Sequence, residues 1–223
     1  MLKKITKNIQ RIIYKVFLFP LIVKINTRKS ASIPKFEISQ QHLQNATLLP
    51  SRLKLLQMLP KNGVVAELGV DAGSFSAQIL SLNNPNKLHL IDNWGSKRYN
   101  KYKQVIVIGK FQEEISSGKV EIHIGLSTEV ANEFPSDYFD WIYIDTSHSY
   151  ETTKAELELY AEKVKQGGYM AGHDFIIGNW NSMIRYGVIE AVYEFCVKHD
   201  WELIYITSEL NTHPSFAIRR ITG

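Results

Sequence analysis

Short apolar runs alternate with helical periods along most of this 223-residue chain. Val64–Leu68, Lys87–Asp92, Val120–Ile124, Phe139–Ile144 and residues 168–172 are compact and bounded by turn residues, the pattern of buried strands. Residues 75–82, 99–115 and 150–164 repeat apolar positions at helical spacing, the last with Leu157, Tyr160, Ala161 and Val164 on one face. Residues 51–59 read as a leading helix between Pro50 and Pro60, and 187–197 as a late one. Trp201–Thr207 and 215–219 are separated only by a loop and should pair antiparallel. Strands alternating with helices predict an α/β, doubly wound, mostly parallel seven-stranded sheet ending in an antiparallel strand.

The N-terminus has a different pattern. Leu2, Ile5, Ile9, Ile12, Ile13, Val16 and Phe17 recur at helical spacing, and Lys3, Lys4, Lys7, Arg11 and Lys15 mostly take the other side. The most apolar stretch, residues 16–23, is interrupted by Pro20 and is shorter than the roughly 20 apolar residues that span a bilayer. No small-residue cleavage site follows clearly. A basic amphipathic helix of this kind can lie in a membrane interface. It can equally dock on its own domain or on a second subunit, so a homo-oligomer stays open. Residues 25–42 read as a linker. The organisation expected is a helical arm and linker over 1–42 and one domain over 43–223.

Charge sharpens that division. The overall balance is +4, yet the first 30 residues hold eight Lys or Arg and no acid. The remainder has 18 basic and 22 acidic residues, a net −4. The domain therefore lacks the basic character of a nucleic-acid reader, and no nucleic-acid partner is expected. Cys196, the only cysteine, falls in an apolar helical pattern. It reads as a buried thiol, compatible with a reducing, cytoplasmic setting.

The chemistry gathers at strand ends. The run 139–144 ends in Asp145, with His148 three residues on; the run 168–172 ends in His173-Asp174. In an open parallel sheet, ligands bind beyond the carboxyl ends of the strands. Four groups able to hold a metal or move a proton are thus expected in one cleft. After the first strand, Glu67, Gly69 and Gly73 mark a turn into a helix. Gly69 permits a tight turn, Gly73 permits close approach of a ligand, and the helix N-terminus favours an anionic group. The spacing is G-x-x-x-G, not the G-x-G-x-x-G of dinucleotide binders. Asp92 ends the next strand, where a carboxylate can accept both hydroxyls of a ribose. Trp94, Tyr99, Tyr102, Tyr150, Phe175 and Trp180 are candidates for a substrate wall. His42, His89, His123, His199 and His213 show no comparable grouping.

E-L-G-x-x-x-G, then L-I-D, then Y-I-D-x-x-H-S-Y-E, then G-G-Y-M-A-G-H-D-F resembles the class I S-adenosylmethionine-dependent methyltransferases. More narrowly it resembles the macrocin-type sugar O-methyltransferases, over about residues 60–220. The resemblance implies a Rossmann-like methyltransferase fold. It implies that Glu67, Gly69 and Gly73 surround the methionine part of S-adenosylmethionine, that Asp92 holds the ribose, and that Ser127 lies near the adenine. Leu126 departs from the pattern, which often has an acid there. The resemblance also implies Asp145 and Asp174 as ligands of a divalent metal, with Mg²⁺ suited to their oxygens, and His148 as general base. His173 stands where some relatives supply an acid and would be a further ligand. Imidazole suits other metals better than Mg²⁺.

The leading expectation is an S-adenosylmethionine-dependent O-methyltransferase. It would act on a hydroxyl of a sugar, small polyol or phenol, with a divalent metal and His148, in the cytoplasm or peripherally at a membrane through residues 1–24. A metal-independent enzyme of the same fold and an inactive membrane-surface scaffold are the alternatives.

Overall fold

The computed structural model describes residues 14–221. Alternation within the central strands produces the layers. In β5 (Phe139–Ile144), Trp141 and Tyr143 point to one face of the sheet, while Ile142 and Ile144 point to the other. Both faces are buried, so the strand reads as one continuous apolar run. Trp141 and Tyr143 pack with β2 (Val64–Leu68), β3 (Lys87–Asp92) and the helices α2 (Arg52–Met58), α3 (Ser74–Asn83) and α4 (Lys101–Lys110). The opposite face packs against α6 (Ser127–Val130), α7 (Tyr150–Ala161) and α8 (Val188–His199).

The remaining strands of the sheet are β1 (Thr47–Leu49), β4 (Val120–Ile124), β6 (Val164–Gly172), β9 (Trp201–Thr207) and β10 (Phe216–Arg220). The order is β1-β9-β10-β6-β5-β2-β3-β4. β10 runs antiparallel to both β6 and β9; the other neighbouring pairs are parallel. The doubly wound sheet is therefore as expected, with one strand more than the seven read from sequence. Three residues of β1 are too few to show a period. A separate hairpin, β7 (Gly178–Asn179) with β8 (Ile184–Arg185), also escaped the pattern for the same reason.

Three boundaries moved. The segment read as one helix over 99–115 is split into α4 and α5 (Gln112–Ser116), joined at Phe111, which caps both. β6 starts at Val164, where the sequence pattern was still helical, because the chain turns at Ala161–Lys163. The expected linker at 25–42 is largely structured. A helical turn at Tyr14–Leu18 leads into α1 (Phe19–Ser32), Ile33 is buried in the core, and buried His42 bonds through Nδ1 to the Trp201 carbonyl at 2.9 Å. The basic residues of the amphipathic pattern before Tyr14 lie outside the described residues.

Chain order reverses between β2 and β5: β3 and β4 follow on one side of β2, while β5 and β6 lie on the other. That reversal opens a crevice at the carboxyl ends of β2 and β5.

Candidate active site

The crevice is a cleft of about 660 Å³ lined by residues from the ends of β2, β3, β5 and β6. Its floor depends on Gly69. Gly69 has φ +89°, its N–H donates to the Ile91 carbonyl at 2.9 Å, and a Cβ there would stand 2.0 Å from the Asp145 carbonyl oxygen. No side chain fits. The β2 turn and the β5 end touch backbone to backbone because this residue is glycine.

Glu67 lines the cleft at the end of β2 and is 1% exposed. Burial pushes its carboxyl up to about 8, against the lowering effects of the Ser76 hydroxyl, which donates to it, and of Arg52. Asp92 also lines the cleft, but much of its bonding capacity is engaged. Oδ2 accepts from the N–H groups of Val70 and Asp71 at 2.9 and 3.1 Å, and Oδ1 from Trp94 N–H at 2.9 Å. The carboxylate thus clasps the glycine turn to the end of β3, and only its remaining lone pairs face a ligand. Ser127 lines the cleft and donates to Glu156, a buried acid that also accepts from Thr146 Oγ1 at 2.9 Å. Burial raises Glu156 to about 7.

Gly73 does not have the surroundings expected of it. It caps α3 with φ +70°, but the space beside its Cα is filled by Phe111 and Val107, not by the cleft. Its freedom serves helix packing and the turn. The following residues, Ser74 and Phe75, line the cleft at the helix N-terminus instead.

Asp145, His148 and Asp174 come together, their potential ligand atoms within 4.8 Å of one another. His148 Nδ1 lies 2.9 Å from Asp174 Oδ2, and His213 Nδ1 bonds the other oxygen, Oδ1. Burial opposes ionisation of Asp174, but the bonds from His148 and His213 outweigh it and hold the carboxyl down at about 2. Burial and the nearby Asp174 raise Asp145 to about 6. For His148, burial disfavours the cation, but the bond and charge of Asp174, with Asp145 and Glu156, raise it above the ordinary imidazole range.

His173 is a correction. It lines the cleft but stands apart from this group. Its Nδ1 meets Ser215 Oγ at 3.1 Å, its Nε2 meets Thr212 Oγ1 at 3.1 Å, and Ser215 Oγ continues to Tyr143 OH at 2.9 Å. Both ring nitrogens are engaged by hydroxyls, and burial pushes the imidazole down to about 4. The ring is therefore held by the Ser215 and Thr212 hydroxyls rather than by the carboxylates of Asp145 and Asp174.

His213 and Arg52 were missed. His213 sits in the loop between β9 and β10. Because β10 pairs antiparallel with β6, that loop returns to the end of β6 beside Asp174. Arg52 opens α2, lines the cleft, and stacks its guanidinium 4.8 Å from the Phe75 ring centroid. Of the six aromatic candidates only Tyr99 lines the cleft. Trp94, Tyr150 and Phe175 are buried packing residues, while Tyr102 and Trp180 are exposed. Tyr186, with its ring centroid 5.0 Å from that of His148, lines the wall.

A second grouping, His89, Glu121 and His123, lies on β3 and β4 away from the cleft lining. Its ring nitrogens close a chain from Glu133 through His123 and His89 to Tyr138 OH, with separations of 2.8, 2.9 and 3.1 Å. That chain ties the edge strand to the Phe134–Tyr138 segment.

The family described as "Methyltransferase domain" matches residues 66–175, from β2 through Asp174. That match, just under half of the chain, supports an S-adenosylmethionine-dependent methyltransferase. No curated protein matches the sequence. Among solved structures, an O-methyltransferase from Bacillus cereus in complex with SAH is 15% identical, with a TM-score of 0.55 and coverage of 95% of this chain and 96% of that one. The B. subtilis tRNA methyltransferase TrmK is 14% identical, with a TM-score of 0.56 over 78% of this chain and 67% of that one. The [4+2]-cyclase SpnF is 11% identical, with a TM-score of 0.55 over 77% and 81%. At such identities the likeness is one of fold, and the acceptor must be argued from the site.

Proposed function

We propose that this chain transfers the methyl group of S-adenosylmethionine to a hydroxyl of a sugar, small polyol or phenol, with His148 as general base. The observation that carries the reading is the His148–Asp174 pair. Asp174 accepts from Nδ1 and so fixes the tautomer, which leaves Nε2 as the proton acceptor on a ring lining the cleft. S-adenosylmethionine, when bound, supplies an electrophilic methyl carbon for in-line displacement. The chain's task is to orient the acceptor oxygen and take its proton.

Glu67 and Gly69 would border the methionine part of the cofactor, beside the N-terminus of α3; Arg52 adds a cation suited to its carboxylate. The remaining lone pairs of Asp92 suit the ribose, and Ser127 the adenine. The residues also fit a divalent metal: Asp145 and Asp174 offer two carboxylates close together, with imidazoles bonded to Asp174 as outer partners. A metal held there would lower the pKa of a bound hydroxyl. The net −4 outside the first 30 residues supports a small-molecule or glycan acceptor over nucleic acid. Nothing across the bilayer is called for, since no helix among the described residues is long and apolar enough to cross a membrane.

A metal-independent enzyme is the second reading. It is favoured by the double engagement of Asp174, since His148 is already oriented without an ion. An assay against sugar and phenol panels, reading S-adenosylhomocysteine release with and without EDTA, tests both. Release that EDTA abolishes and Mg²⁺ or Mn²⁺ restores supports the metal site. Release indifferent to EDTA supports the second reading. Absence of release with every acceptor, in a protein that binds S-adenosylmethionine, counts against both.

A further inference from the structure

The helical turn Tyr14–Leu18 and the first half of α1 have little protein cover. Val16, Phe17, Leu21 and Ile25 are all exposed, Phe17 at 68%. A helix apolar around its circumference needs an apolar environment. Its second half is fastened to the β7–β8 hairpin: Asn26 Nδ2 donates to the Met183 carbonyl at 2.8 Å, Lys29 Nζ to the Arg185 carbonyl at 3.2 Å, and Arg185 Nε to Ser30 Oγ at 2.8 Å. The hairpin presents exposed apolar side chains, with Trp180 at its tip 86% exposed and Ile184 exposed beside the arm. The same hairpin borders the cleft, because Asn179 and Tyr186 line it.

We propose that the Tyr14–Leu18 turn, α1 and the hairpin tip form one membrane-docking face for an anionic bilayer, which sets the mouth of the cleft at the lipid surface. Charge selects this occupant. The first 30 residues carry eight basic side chains and no acid, among them Lys15, Lys24 and Arg28 around the exposed apolar positions. Each Lys or Arg near an anionic surface adds electrostatic attraction. A second copy would bring the same positive charge to the same face and be repelled. Tryptophan at the tip is the side chain that settles at the headgroup level. The docking face does not depend on the methyltransfer reading. It deepens that reading by placing the cleft where a membrane-borne hydroxyl would be presented.

The test uses the full chain and vesicle flotation. Vesicles of phosphatidylcholine with phosphatidylglycerol should carry the protein upward, phosphatidylcholine alone should not, and high salt should release it. Phe17→Asp with Leu21→Asp should reduce flotation at least tenfold while S-adenosylmethionine binding, followed by calorimetry, is unchanged. Brominated lipid should quench tryptophan fluorescence in the wild type and much less in Trp180→Phe. Failure to float with anionic vesicles overturns the proposal. So does a concentration-dependent dimer that the two Asp substitutions convert to monomer, since a second copy would then cover the face. Loss of S-adenosylmethionine binding by a protein that still floats would count against the methyltransferase reading alone.

Discussion

His148 Nδ1 and Asp174 Oδ2 are 2.9 Å apart, and both residues sit in the left-handed backbone region, at φ +57° and +56°. Each lies just past the carboxyl end of its strand, β5 or β6. Non-glycine residues at positive φ are uncommon and concentrate where the surrounding structure over-determines a conformation. The two turns aim the imidazole and the carboxylate at each other across neighbouring parallel strands. The Gly187 N–H, which donates to the His148 carbonyl at 2.9 Å, holds the first turn in place.

Removing the imidazole should therefore remove catalysis and little else. His148→Ala is expected to lower turnover about 10²- to 10⁴-fold, the usual worth of a positioned base. S-adenosylmethionine affinity, measured by calorimetry, should stay within a few-fold. Turnover close to wild type would take His148 out of the mechanism.

Asp174→Asn keeps the shape but loses the charge that the two imidazoles share. Asparagine can present its NH₂ to His148 and favour the wrong tautomer. Turnover should fall at least tenfold. The apparent pKa on the acidic side of the pH–rate profile should fall as well, because Asp174 is the main group raising His148. An unshifted profile would mean that another group sets that limb.

Gly69→Ala should damage both fold and site. The added methyl meets the Asp145 carbonyl oxygen at 2.0 Å, and alanine resists φ +89°. Backbone strain alone costs about 1–3 kcal/mol, and the collision forces β2 and β5 apart. Urea unfolding should show a loss of at least that size. An unchanged midpoint would mean that the strand ends are not in contact.

Much of this was legible in the chain. Buried parallel strands such as β2, β3 and β5 announce themselves as apolar runs, and Asp145, His148 and Asp174 followed from strand ends in an open sheet. What escaped depends on return paths that local pattern does not encode. His213 reaches Asp174 only because β10 re-enters antiparallel beside β6. His173 shares the cleft with Asp174, but its ring is engaged by hydroxyls of Thr212 and Ser215 in the returning β9–β10 loop. Gly73 had the right residue type and the wrong neighbour, since the packing of Phe111 is invisible before α4 is placed. Arg52 lay in the leading helix, where nothing in the local pattern pointed to the cleft.

Glu67 makes the stability of the fold depend on pH. Its ordinary pKa of 4.5 rises to about 8 in the folded chain, chiefly through burial. The folded state therefore holds the proton more tightly than the unfolded one. The contribution is fully present below pH 4.5, declines as pH rises, and is lost above about 8. Glu67→Gln keeps an acceptor for the Ser76 hydroxyl and never ionises. Its melting temperature should fall less than that of the wild type between pH 6 and pH 9. Glu156 and Asp145 titrate within or near this range in both proteins, so the comparison is read from the difference between the two curves, which reports Glu67 together with its charge coupling to Asp145. Parallel curves would mean that the Glu67 carboxyl is already ionised in the fold at neutral pH, with Arg52 as the cation placed to stabilise it.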